Sequence, residues 1–297
     1  MRRLLAAVVL VAALGGCSAT STDRALVVVT TNILGDVVQN VVGDEAEVLV
    51  LMRPNSDPHS FEISAREASR ILGADLIVSN GFGLEEGLQQ HLDSAADAGV
   101  PILAAGDVLD VLEYSESGAP DPHFWTDPTQ MLPVVGAVES AVIENVPGVD
   151  PTVIATRAQG YSDEIDKLDA EMSTAFDGIV AENRRLVTNH HVFGYLAHRF
   201  DFEIVGAVIP GGSTLAAPSA SDLRDLVGAI NDAGVSTIFA ESSQTDRLVQ
   251  VLAEEADLEV AVVELYTESL SEPGTPADTY LTMMRTNTER IATGLAR

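Results

Sequence analysis

From Asp150 onward the chain carries a pattern that restricts what can lie on either side of it. Asp150 can cap a helix and Pro151 suits a first helical position, and Val153, Tyr161, Ile165, Leu168, Met172, Phe176 and Ile179 follow at mostly three- and four-residue spacings. The amphipathic helix this predicts runs about 30 residues, or about 45 Å at 1.5 Å per residue, far longer than an average helix. It is long enough to bridge two lobes.

Both flanks of that helix alternate between strand and helix patterns. Ahead of it, Ala25–Asn32, Glu47–Arg53, Leu76–Asn80 and Pro101–Gly106 are β-branched apolar runs, with helical patterns such as Ser64–Leu72 and Gly83–Ala98 between them. After it, Arg185–Asn189, Phe202–Val208, Thr237–Ala240 and Glu259–Tyr266 read as strands. Continuous apolar strands separated by helices are the mark of parallel sheets covered on both faces. The expected fold is α/β, with two lobes, each a mostly parallel sheet flanked by helices, joined by one long rigid helix. The boundaries read as 25–149 for the first lobe, 150–181 for the linking helix and 182–297 for the second lobe. No internal sequence repeat or nucleotide-binding glycine loop is visible. Pro210-Gly211-Gly212-Ser213 lacks the spacing and lysine of a P-loop and reads as a turn.

Residues 1–16 lie outside this fold. Arg2 and Arg3 precede an apolar segment, Leu4–Leu14, too short to span a bilayer, and Gly15-Gly16 supplies small residues for cleavage. Leu14-Gly15-Gly16-Cys17 resembles a bacterial lipobox, which makes Cys17, the only cysteine, the expected lipidation site. Residues 17–24 are small and polar and read as a flexible tether. With no partner for a disulfide, an exported domain must be held by its core, and 297 residues suffice for one. Loss of residues 1–16 removes Arg2 and Arg3 and no acid, moving the formal charge from −29 to −31. Such acidity argues against nucleic acid and against electrostatic docking on anionic lipid. Membrane contact is expected through the lipid anchor alone, with the protein extracytoplasmic and monomeric.

Six histidines are an ordinary count for this length, so their positions carry the signal. Asp57-Pro58-His59, Asp121-Pro122-His123 and Thr188-Asn189-His190-His191 each place a histidine beyond an apolar run, and Glu268 follows a fourth. In open α/β folds the carboxyl ends of strands converge on the ligand crevice, so three imidazoles and one carboxylate could meet at one point. In each Asp-Pro-His segment the proline fixes its own φ and holds its predecessor extended, leaving the histidine on a stiff support. His190 and His191 are adjacent at a strand end and point to opposite faces, so one is a ligand and the other a bystander or support. His91 and His198 read as surface residues. Glu241 also ends a strand and reads as an ion-pair partner near the site, with a ligand role as the alternative.

Four longer segments carry a resemblance: Met52-Arg53-Pro54-Asn55-Ser56-Asp57-Pro58-His59-Ser60-Phe61-Glu62, Asp121-Pro122-His123-Phe124-Trp125-Thr126-Asp127-Pro128, Asn189-His190-His191-Val192-Phe193-Gly194-Tyr195 and Ala277–Asn287. Together they resemble the metal-binding solute-binding lipoproteins of ABC importers, especially the zinc group, across essentially the whole mature chain. The resemblance implies His59, His123 and His190 as ligands, with His190 chosen over His191. It implies a fourth carboxylate ligand at Glu268, where the family commonly has aspartate before Ser-Leu. It also implies an ABC permease in the membrane as partner. The segment before His123 is short and has no histidine, so no auxiliary metal-collecting loop is expected.

Three neutral nitrogens and one carboxylate suit Zn2+, whereas Mn2+ favours more oxygen; Cu2+ would compete by intrinsic affinity. Among the manganese-binding members of the resembled group the third position is an acid, which also leans the expectation to zinc. The leading expectation is a non-catalytic protein that captures Zn2+ at the interface of the lobes for delivery to a permease. A zinc hydrolase would need an open coordination position and a base, and no His-Glu-x-x-His element supplies them. A lipoprotein adhesin with a structural metal is the third reading.

Overall fold

The computed structural model describes residues 24–114, 117–243, 249–250, 252–253 and 260–296. The leader, Cys17 and the tether up to Asp23 lie outside the described residues. The first sheet consists of β1 (Leu26–Val29), β2 (Glu47–Val50), β3 (Leu76–Ser79) and β4 (Ile102–Ala104), in the order β2-β1-β3-β4. The second consists of β5 (Arg185–Thr188), β6 (Glu203–Ala207), β7 (Thr237–Glu241) and β8 (Ala261–Leu265), in the order β6-β5-β7-β8. All pairings within the two sheets are parallel. The central strands β1 and β3 are buried at every position, because helices cover both faces and only apolar or small side chains fit there.

The second sheet repeats the strand order of the first, a symmetry of topology that the sequence does not display. In each sheet the chain runs from the first strand to a neighbour on one side and then crosses to the other side. The crossover leaves a crevice between β1 and β3 in one lobe and between β5 and β7 in the other, the position where α/β sheets bind ligands.

Around the sheets lie α1 (Asn32–Val42), α2 (Ala65–Ile71), α3 (Gln89–Asp97), α4 (Pro128–Asn145), α5 (Pro151–Asp177), α6 (Gly194–Phe200), α7 (Ala220–Ala233) and α8 (Tyr280–Leu295). Ser64 caps α2 through a reciprocal box with Glu67, matching the expected start of that helix. The helix expected over Gly83–Ala98 is shorter. Gly81, Phe82 and Gly83 all have positive φ, and Glu85 turns inward, so helical geometry begins only at Glu86–Leu88 and continues as α3. The inward turn has a cause: the Glu85 carboxylate accepts bonds from the Thr30 hydroxyl and, at 2.7 Å, from the Asn80 backbone N–H.

The long helix is α5, capped by Asp150 with Pro151 at its first position, and its 27 residues span about 40 Å. Its buried stripe is Ile154, Ala158, Tyr161, Ile165, Leu168, Met172 and Phe176. Ile154 takes the place expected for Val153, a one-residue shift that keeps the first turn in line with the rest of the stripe. The stripe contacts α1 and α4 from the first lobe and α8 from the second. A single apolar cluster runs from Val27 and Val38 through Tyr161, Leu168 and Phe176 to Leu186, Phe200 and Met283. Each sheet has a smaller second cluster on its outer face. Among the described residues no helix is long and apolar enough to cross a membrane.

Candidate metal centre

His59, His123, His190 and Glu268 come together where the two lobes face each other, and all four are at most 2% exposed. They reach that point from different depths of chain. His190 stands just beyond β5 and Glu268 just beyond β8, as expected for strand-end residues. His59 and His123 instead lie well past β2 and β4, on loops that return to the centre. Those loops therefore need supports of their own.

The supports are the aspartates of the two Asp-Pro-His segments. Asp57 Oδ1 accepts the His59 backbone N–H at 2.9 Å, and Asp121 Oδ1 accepts the His123 backbone N–H at 3.0 Å. Proline alone was the stiffening element visible in the sequence; the carboxylate two residues before each histidine completes it. Asp121 does more, since its Oδ1 also accepts from His123 Nδ1 at 2.8 Å and from the Tyr114 hydroxyl at 3.0 Å. Glu241 plays the corresponding part for His190, accepting from its Nδ1. In both cases the far nitrogen is turned away and Nε2 faces the centre, the carboxylate–imidazole arrangement that orients metal ligands.

The loop carrying Glu268 is clamped from both sides. Asn287 brackets Tyr266, with its Oδ1 accepting the Tyr266 N–H at 2.9 Å and its Nδ2 donating to the Tyr266 carbonyl at 2.6 Å. Asn287 closes the fourth motif of the sequence, which thereby acquires a structural meaning. Across the lobe boundary, Asn32 donates to Ser269 Oγ at 2.8 Å and accepts the Leu270 N–H at 2.9 Å. Trp125 Nε1 donates to the Thr267 carbonyl at 2.8 Å. Asn32 and Asn287 were invisible as positioning groups in the sequence, because an asparagine's partner is set only by the fold.

At the centre, Glu268 Oε1 lies 3.0 Å from His59 Nε2 and 3.3 Å from Nε2 of both His123 and His190. His123 Nε2 is 3.4 Å from His59 Nε2 and 3.4 Å from His190 Nε2. Four donors about 2.0–2.1 Å from a tetrahedral zinc ion stand about 3.3–3.4 Å apart. The donor set therefore fits such an ion in both chemistry and spacing. Glu268 Oε2 is buried with no hydrogen-bond partner among the described residues, and so is Glu241 Oε2.

The electrostatics follow from packing three imidazoles against acids away from water. Burial by itself disfavours the imidazolium of His190, but the Glu241 and Glu268 carboxylates outweigh it and raise the pKa well above the usual histidine value. His123 is raised in the same way, with burial overcome by its bonds to Asp121 and Glu268. Burial would raise Glu268, yet the charge of His190 and the bonds from the three histidines hold it well below the ordinary carboxylate range. Burial raises Glu241, against the opposing pull of His190. The raised values favour protons on His123 and His190 in the metal-free centre, and an incoming cation exchanges with them.

His191 does not join the cluster; its backbone N–H donates to the Gly211 carbonyl at 3.1 Å and its own carbonyl accepts from the Tyr114 hydroxyl at 3.3 Å. His91 on α3 is half-buried and His198 on α6 exposed, and neither joins the cluster.

Comparison with known proteins finds relatives along nearly the whole chain. The profile of the periplasmic zinc-uptake complex component A family, ZnuA, matches residues 27–294. The zinc-binding protein TroA of Treponema pallidum is 30% identical over 291 residues, covering 96% of this chain and 93% of its own. The structure of TroA aligns with a TM-score of 0.85 at 29% identity, covering 92% of this chain and 100% of that one. The iron-binding protein YfeA of Yersinia pestis is 29% identical over 288 residues, covering 96% of this chain and 91% of its own. The manganese ABC transporter substrate-binding lipoprotein PsaA of Streptococcus anginosus is 27% identical over 302 residues, covering 99% and 96%.

Proposed function

The chain belongs to the zinc-uptake complex component A family of metal-binding, substrate-binding proteins of ABC importers, and from that premise we propose that it captures extracytoplasmic Zn2+ and delivers it to a membrane permease. The ligands are His59, His123, His190 and Glu268, with Zn2+ as cargo. The observation that carries the choice of metal is the donor set: three imidazole Nε2 atoms and one carboxylate oxygen, with Glu268 Oε1 3.0 to 3.3 Å from each imidazole and His123 Nε2 3.4 Å from the other two. That spacing suits a tetrahedral N3O site, the preference of zinc. Relatives named for manganese and iron match nearly the whole chain, so the metal is argued from this chain's own donors. Manganese favours additional oxygen, which a site dominated by nitrogen does not offer.

Four converging protein donors also favour a carrier over a catalyst, because hydrolytic zinc sites keep a position for water. The lobes in this reading comprise 25–149 and 182–297, with 150–181 as the linking segment. Lipidation at Cys17 holds the monomeric carrier on the outer side of the cell membrane, beside its permease. Metal analysis of protein purified without a histidine tag, followed by competition among Zn2+, Mn2+ and Cu2+, tests the reading. We expect one zinc per chain and displacement of Mn2+ by Zn2+. A preparation that retains manganese against equimolar zinc refutes the choice of metal, and one that binds no divalent metal refutes the carrier.

A further inference from the structure

Because the four ligand side chains are at most 2% exposed, an ion can enter or leave only when something that covers them moves. The connection between β6 and α7 lies against groups that support two of those ligands. Its first residues are fixed to β5, with Val208 N–H donating to the Thr188 carbonyl at 3.0 Å and Ile209 N–H to the Asn189 carbonyl at 2.7 Å. At Gly211 the backbone adopts a φ of +90°, a conformation that favours glycine, and the chain swings toward the first lobe.

Three contacts then join it to that lobe. Gly212 packs on Tyr114 so closely that an added Cβ would stand 2.1 Å from the tyrosine hydroxyl. Ser213 Oγ donates to Glu86 Oε1 at 3.0 Å, and Thr214 Oγ1 donates to Asp57 Oδ2 at 2.7 Å. Two of these partners are supports of the metal centre itself. Asp57 holds the His59 backbone, and the Tyr114 hydroxyl lies 3.0 Å from both Asp121 Oδ1 and His123 Nδ1. One short segment of the second lobe thus touches what positions both first-lobe histidines.

We infer that residues 211–214 form a latch that ties the second lobe to Asp57, Glu86 and Tyr114 of the first, and that its release gates passage of the cargo ion. The inference rests on the carrier reading of the same site. Side-chain hydrogen bonds of this kind can part without disturbing either sheet, and Gly211 provides the pivot. The glycine-rich turn of the sequence then has a definite purpose: its second glycine is required by Tyr114.

The test is stopped-flow kinetics with zinc, following uptake by the metal-free protein and release into excess chelator. The double variant Ser213→Ala/Thr214→Val removes the two side-chain donors with little change of shape. Tyr114→Phe removes the hydroxyl beneath Gly212, and Gly212→Ala drives the latch from its seat. The double variant should both take up and release zinc on the order of tenfold faster, as expected for lost hydrogen bonds to charged acceptors. Its equilibrium affinity should change less than either rate, and its metal-free melting temperature should match wild type. Tyr114→Phe and Gly212→Ala should shift both rates in the same direction. Wild-type rates in the double variant and Tyr114→Phe overturn the latch, as does faster release with unchanged uptake, which signals weakened ligand support instead. Failure of the wild-type protein to bind any divalent metal would refute the carrier reading and is recognised before any variant is compared.

Discussion

Asp121→Asn isolates what a supporting carboxylate contributes to a metal ligand. Asp121 Oδ1 receives three donors, the His123 N–H, the His123 ring and the Tyr114 hydroxyl, at 2.8 to 3.0 Å. The space is tight, since a Cβ added at Gly194 would stand 2.4 Å from Asp121 Oδ2. Asparagine has the same size and keeps an acceptor oxygen, so the loop conformation should survive and only the charge opposite the imidazole is lost. A hydrogen bond to a charged group is worth about 1.5–3 kcal/mol against about 0.5–1.5 for a neutral one. The difference, roughly 1–1.5 kcal/mol, corresponds to about a tenfold loss of zinc affinity, at the lower end of the 10- to 100-fold range for such supports. The pH dependence adds a second signature. Asp121 helps raise the pKa of His123, so in the metal-free wild type a proton stays on that ring to higher pH and must be displaced by zinc. The variant releases fewer protons on binding, and its deficit narrows as pH falls through the histidine range. Competitive chelator titrations at several pH values, with calorimetry in buffers of different ionisation enthalpy, measure both effects. Wild-type affinity and unchanged proton release in a folded Asp121→Asn protein would refute the argument.

Further outcomes follow from the same geometry. Zinc at a thousandfold excess over Kd should stabilise the fold by about 4 kcal/mol, read as a rise in melting temperature. The raised pKa values of His123 and His190 favour the metal-free fold below the unfolded histidine pKa. That contribution is lost as pH rises through their folded values, so the zinc-induced rise should grow with pH over this window. His59→Ala, His123→Ala and His190→Ala should each weaken zinc binding by at least a hundredfold in isothermal titration, an order-of-magnitude expectation for a lost donor beyond a lost support. His91→Ala and His198→Ala should bind as wild type, and loss of binding in His191→Ala with retention in His190→Ala would reverse the ligand assignment. Glu268→Gln should lower affinity by removing the only anionic donor, and Glu268→Asp should lower it less if reach rather than charge is what changes. Cys17→Ala should abolish lipid-dependent membrane association in cell fractionation while leaving the zinc-bound domain folded.

Much of this architecture was legible in the sequence because it depends on local patterns. Apolar strand runs and the stripe of α5 announce themselves through spacing, and Ser64 and Asp150 mark helix starts through capping chemistry. The histidines stood out because the Asp-Pro-His device occurs twice. The supports of the site were hidden for a different reason. Asn32 meets Ser269 across 237 residues and Trp125 meets Thr267 across 142, and no local pattern encodes a partner so distant. The break before α3 was missed because Glu85 looks like a helix-forming residue until Thr30 and Asn80 are beside it. The paired strand order of the two sheets was hidden because topology constrains burial rather than residue identity.

The continuity of the core across α5 bears on how the molecule comes apart. In many two-lobed proteins each lobe encloses its own apolar interior, and relative motion is the default because the boundary between them is largely polar. Here the stripe of α5 packs against α1 and α4 on one side and α8 on the other, within one apolar cluster. Removing either lobe would expose the buried face of that helix, whose Tyr161, Ile165, Leu168 and Phe176 have no water-tolerant alternative. Shared packing of this kind predicts that the two lobes unfold together, which a single transition in calorimetry would show and two separate transitions would refute. On that expectation neither half would be a self-sufficient fragment, and the chain would be indivisible in the thermodynamic sense even though its sheets are two.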